Sequence, residues 1–371
     1  MRARAEAIER IALKRKARLG KLSDEGYAEL RLAVENNPDK FVEDEQERAF
    51  LMLADALDAN AKAREGEDFL DDDAYEKSRT RRLGRLRDTC GIVLEVDRHC
   101  LDASTILALQ GNDAGDILEE LLSLDATCGG SADVALDMGD LIPCDDGQGI
   151  ANEGATAEPL ATNEAYASSA MTEPAERAAD DETALMPNTD DWTDVFEHPI
   201  LRLHAVIAQE YLNTTRFGAA RECCRRLVAL TPSDPLGARF TWALACARLE
   251  DEQGFNDLDA RFGRRGNAWS HIARTLLMFK LDRMSAARRA LRGYASLCQG
   301  GAYALLRPTF VEAYLPDRPA FGQGTFEEAC LAVHEADPVV VDTPDFIAWC
   351  TAQEGFAAEA QRYAEEHDLD W

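Results

Sequence analysis

Apolar residues recur at spacings of three and four along most of the chain. Nowhere do they alternate with polar ones over a useful length, so the pattern predicts helices and no strands. The clearest stretch is 201–232, LRLHAVIAQEYLNTTRFGAARECCRRLVALTP. Leu203, Ile207, Ala208, Tyr211 and Leu212 share one helical face, and Ala220, Cys224, Leu227 and Leu230 share another. Between them, Asn213, Thr214, Thr215 and Arg216 supply turn chemistry and Phe217-Gly218 lead into the next helix, so the two helices must lie antiparallel. Small Ala208 and Ala220 allow close approach. Pro232 stops the second helix, and Pro235 starts another, where a missing amide donor is harmless.

The same reading divides the rest of the chain. Ile8, Ile11, Ala12 and Leu13 form an apolar stripe on a basic helix over 3–19, and Ser23 caps a helix that ends at Asn36-Asn37-Pro38. Residues 41–63 form a long helix, and another opens on Asp71-Asp72-Asp73, where the macrodipole favours negative charge, and runs to about Val96. Asp102 opens a further helix, and Asn112 caps one that ends at Leu124. Helices follow at 238–250, 254–262, 268–280 and 285–297, then at 302–314, 325–336, 343–353 and 356–366, with Pro316, Pro319 and Pro338 breaking them apart. The fold class is all-α.

Composition changes the picture in one place. Residues 125–190 are mostly Ala, Gly, Asp, Glu, Ser and Thr, with Pro143, Pro159, Pro174 and Pro187 and few large apolar side chains. Such a stretch cannot bury enough to offset its chain entropy, so it is predicted to be an acidic disordered linker between helical blocks 1–124 and 191–371. The net charge of −29 is spread unevenly: residues 125–198 hold 18 acids and one base, whereas 216–292 hold 15 bases and 8 acids. These opposite signs predict that the linker folds back over the basic block in a salt-sensitive way. The basic face itself comprises Arg221, Arg225, Arg226, Arg288, Arg289 and Arg292, either solvated or meeting a polyanion; aromatic residues for base stacking are not interleaved with them.

No motif carries chemistry. The six histidines show no HExxH and no pairing at helical spacing, which predicts no metal site. Vicinal Cys223 and Cys224 point about 100° apart on a helix and cannot easily chelate one ion together. Gly129-Gly130 and Gly300-Gly301 lack the Lys and Ser or Thr of a phosphate loop, and there is no GxSxG elbow. The chain is therefore read as not an enzyme and without cofactors, although residues converging from distant helices are left open. With no secretory leader or spanning run at its start, it is expected to be cytoplasmic, with no membrane partner.

The 201–232 stretch resembles a tetratricopeptide repeat, a helix-turn-helix unit of about 34 residues. The family's small residue falls on Ala208, its tyrosine on Tyr211, its alanine on Ala220 and its closing proline on Pro232, while His204 and Cys224 stand where the family has bulkier groups. Residues 268–297 look like a degenerate second copy, and the LPDRPAFGQGTFEEACLAVHEADP phrase is similar to a closing element after such repeats. The resemblance implies TPR-like hairpins stacked as an α-solenoid, with Arg202, Gln209 and Asn213 facing a groove that binds a peptide or protein segment. Where a clamp for C-terminal carboxylates needs a base, this repeat has Ala205. An ordinary helical hairpin in one bundle is the alternative fold. A regulator that binds nucleic acid or another polyanion through the 216–292 face is the alternative function.

Overall fold

The computed structural model describes residues 2–67, 70–128, 190–309, 311 and 314–371. Residues 129–189 of the linker predicted over 125–190, and its return onto the basic block, lie outside the described residues. Among the described residues every regular element is a helix.

Short polar side chains set where many helices begin. Ser23 accepts from the Gly26 amide, and Asp44, Asp71 and Asp251 accept from the amides three residues on, each satisfying an otherwise orphaned donor. The N-terminal helices are α1 (Arg2–Leu19), α2 (Asp24–Asn36), α3 (Glu45–Glu65), α4 (Asp72–Val96), α5 (Leu101–Ala108) and α6 (Ala114–Thr127). Asp113, not Asn112, caps α6, because its carboxylate reaches the Gly115 and Asp116 amides. The helix runs three residues past the expected boundary at 124, and there Asp125 meets His204.

After the undescribed stretch come α7 (His198–Asn213), α8 (Phe217–Leu230), α9 (Ala238–Arg248), α10 (Glu252–Arg261), α11 (Ala268–Lys280), α12 (Met284–Leu297), α13 (Gly301–Leu306), α14 (Phe326–Val341), α15 (Phe346–Thr351) and α16 (Phe356–His367). The expected 41–63 helix begins only at Glu45 and the expected 343–353 helix spans Phe346–Thr351, but two ends move furthest. The helix from 302 ends at Leu306 rather than 314, because Pro308 disfavours helical backbone at the residue before it. Conversely, α14 runs through Pro338, whose lost hydrogen bond falls in the last turn while fully buried Val339 holds that turn down.

The described helices belong to one compact unit, and α5 and α6 pack on α7. Leu53, Leu86, Cys90, Val93 and Ile106 make the core shared by α3, α4 and α5. Helices α7 and α8 form the expected antiparallel hairpin, with Leu203, Tyr211, Leu212, Ala220 and Cys224 fully buried. Its turn recurs. Thr215, Glu250 and Asp282 all adopt left-handed backbone, with φ of 62, 58 and 56°. After each, the next amide donates to the carbonyl five residues back: Arg216 to Tyr211, Asp251 to Cys246 and Arg283 to Met278. Seven residues before each left-handed position lies a small buried side chain, Ala208, Ala243 or Thr275. Three consecutive hairpins, α7/α8, α9/α10 and α11/α12, are thus built alike.

Ala220 is fully buried in the hairpin whose two helices pack on each other. Ala220→Leu is expected to cost roughly 1–3 kcal/mol through overpacking, while Ala219→Leu, on a partly exposed neighbour, should cost less. Equal melting temperatures for the two variants would count against this packing.

Candidate functional site

Aligned on their turns, the first helices of the three hairpins place Arg202, Gly237 and Trp269 at equivalent positions, so these residues follow one another along one face. That face is already occupied by the chain. A strap, residues 314–318, and helix α14 lie on it. Leu315 packs into the core of α3, α4 and α5, while Arg318 points into the C-terminal hairpins.

Arg318 is held from every side. It donates to both oxygens of Glu335 at 2.6 and 3.1 Å and to the Leu236 carbonyl at 2.6 Å, and its guanidinium lies over the Phe240 and Trp269 rings. Gly237 is required here: it sits at φ 70°, and a Cβ on it would collide with the guanidinium and the Phe240 ring. Glu335 is 1% exposed and also accepts from Trp269 Nε1 at 2.8 Å and from the Tyr314 hydroxyl. Burial opposes the charge on Arg318, but Glu335 more than offsets it and raises the pKa above the usual arginine value.

Arg202, expected to line an open groove, is 6% exposed. Its guanidinium spans Asp102 of α5, at 2.9 and 2.6 Å, and Glu6 of α1, at 2.8 and 3.0 Å. Arg10 adds a bond to Glu6 at 2.8 Å, and His198 Nδ1 lies 3.1 Å away. Burial alone would raise the Glu6 pKa, yet His198, Arg202 and Arg10 hold it at about 2. Gln209 is also buried, accepting from the Thr241 hydroxyl and donating to exposed Asn213. The clefts beside the strap are each about 20 Å³, little more than a water needs. Of the three expected groove residues, only Asn213 reaches solvent.

Asn213 donates to the carboxylate of Glu210, a buried residue. Burial pushes the Glu210 pKa up to about 7 against the opposing Asn213 bond. The folded state therefore keeps a proton that the unfolded chain releases near pH 4.5, and stability falls as pH rises from there to about 7. Glu210→Gln is expected to flatten this limb and to stabilise the protein at pH 8 by about 3 kcal/mol. Denaturant melts of both proteins at pH 5 and 8 check it, and an unchanged pH difference would remove the assignment.

The structure redraws the basic face. Arg221 pairs with Asp251 at 3.0 Å, and Arg225 and Arg226 both grip Glu222, each at 2.8 Å. Glu222 is held at about 2 by these two arginines against burial. Arg288 bonds Gln353. Arg289 and Arg292 are exposed, and so are Arg264 and Arg265 in the α10–α11 loop, which the helical spacing did not single out. The run Arg264-Arg265-Gly266 is a visible charge pair, but its place beside α12 is a matter of packing.

Among the described residues no three His, Cys, Asp or Glu side chains converge as metal ligands, and no helix is long and apolar enough to cross a membrane. Cys223 is buried on α8, and burial pushes its thiol up to about 12, so it is a poor nucleophile at neutral pH. No family model, curated protein or solved structure matches the chain.

Proposed function

We propose that this chain is a cytoplasmic interaction scaffold whose TPR-like hairpins stack as a short α-solenoid and bind a segment of another protein. The observation that carries the reading is the recurrence of one turn geometry at Thr215, Glu250 and Asp282, 35 and 32 positions apart, with a small buried residue at the same place in each hairpin. A repeat of that length builds an extended surface and brings no catalytic group with it. Because residues 314–318 and α14 fill the first-helix face, the partner is assigned to the outer side, formed by the second helices and their loops.

The test is selection of a random peptide display library on the full-length chain, followed by photo-crosslinking of the enriched peptides. Enriched sequences that crosslink within 252–292 support the reading. No enrichment over heat-denatured chain counts against it. The second reading, binding of a polyanion such as nucleic acid, draws on the exposed arginines at 264, 265, 289 and 292. It requires a steep fall in oligonucleotide affinity with salt.

A further inference from the structure

Between α9, α10 and α11 lies a cleft of about 30 Å³, roughly two waters in size and so able to take the end of one aliphatic side chain. Its floor is apolar, formed by Phe240, Ala243, Phe255 and Leu258, and its rim carries Arg239 and Arg265. Arg239 is stacked over Phe240 and Phe262, at 4.8 and 4.9 Å from the ring centroids, and lies 3.6 Å from Asp234. Asp259, the carboxylate in the lining, is engaged by Arg274 at 2.7 Å. Arg265 is exposed, and among the described residues no carboxylate pairs with it.

This cleft joins the redrawn basic face. The ring of His271 lies against both Gly266 and Gly293, since a Cβ on the first would sit 2.7 Å from Nε2 and a Cβ on the second 2.6 Å from Cε1. The two glycines clasp one imidazole, which brings the Arg264-Arg265 loop to the edge of α12 that bears Arg289 and Arg292. An apolar slot with a guanidinium rim therefore opens onto further arginines that lack partners among the described residues. Resting on the scaffold reading above, we infer that this surface docks an acidic segment of a partner protein through one aliphatic side chain seated in the cleft, with carboxylates on either side meeting Arg265, Arg289 and Arg292. Nucleic acid is disfavoured, because the rings near the patch lie in the cleft floor or beneath Arg239, where bases cannot stack on them.

The probe is a fluorescein-labelled, C-terminally amidated dodecapeptide of glutamates around a central leucine. Its affinity for the full-length chain is followed by fluorescence anisotropy at low and high salt. Three other probes run beside it: the peptide with serine for leucine, the peptide with glutamines for glutamates, and a twelve-residue oligothymidylate. Binding of the parent peptide is expected to weaken about tenfold with either altered peptide, about tenfold on Arg265→Glu, and progressively with salt, while Arg225→Ala leaves it unchanged. Arg265 is exposed, so Arg265→Glu should keep the wild-type melting temperature, and Arg289→Glu gives an independent second variant. Several results would overturn the inference: no binding of the parent peptide, equal binding of the serine peptide, equal binding to Arg265→Glu and Arg289→Glu, or oligothymidylate binding as tightly as the parent. Enrichment of unrelated sequences in the display selection would then show that the scaffold reading survives without this site.

Discussion

Arg202→Ala is expected to destabilise the protein by about 3–5 kcal/mol, the range for removing one partner of a buried ion pair, and to lower Tm by on the order of 10 °C. The cause is not the lost contacts alone. Asp102 is buried and the Glu6 side chain is only 10% exposed, and the two carboxylates would be left with their shared counterion gone. A residue that merely faced a peptide groove would be silent in the same experiment, so a variant melting within about 1 °C of wild type would return Arg202 to the open surface. The pH dependence supplies a second readout. Glu6 titrates at about 2 in the folded protein and near 4.5 when unfolded, so its contribution is complete above pH 4.5 and lost as pH falls towards 2. Without Arg202 much of that acid limb should vanish. Combining Arg202→Met with Glu6→Gln should recover part of the loss, since it takes out a charge from each side of the pair.

The second large effect is expected at Glu335. Glu335→Ala leaves three donors without their acceptor: the Arg318 guanidinium, Trp269 Nε1 and the Tyr314 hydroxyl. A cost of about 3–5 kcal/mol follows from the uncompensated charge. Trp269→Phe removes only one of these hydrogen bonds and keeps most of the ring, so about 1–2 kcal/mol is expected there. In a double-mutant cycle, Glu335→Ala with Arg318→Met should cost clearly less than the sum of the two single changes, because the second removes the charge that the first strands. Equilibrium denaturation gives all three values. The strap should also become more sensitive to proteolysis in Glu335→Ala than in wild type, since Arg318 and Tyr314 both anchor it. Additive costs, or a strap no more sensitive to protease than in wild type, would mean that this knot does not hold the strap in the first-helix groove.

The sequence by itself determined most of the helices and the hairpins at 201–232 and 268–297. Local chemistry is enough for this: the three- and four-residue spacing of Leu203, Ile207 and Tyr211, the cap at Ser23, and the turn chemistry before Phe217 act within a few residues of one another. It also marked the buried faces, because a periodic apolar stripe must be covered by something. What covers it was decided only by tertiary structure. Arg202 looks like a groove residue from its place in the hairpin, yet its partners Asp102 and Glu6 lie 100 and 196 positions away and no local pattern couples them. Arg318 and Glu335 sit in different elements, and only the close approach permitted by Gly237 lets that arginine reach the carboxylate across the first-helix face. The same holds for charge. The sequence counts arginines, but whether a guanidinium is spent on a neighbour, as at Arg221, or left to solvent, as at Arg265, depends on which acids the fold brings within about 4 Å.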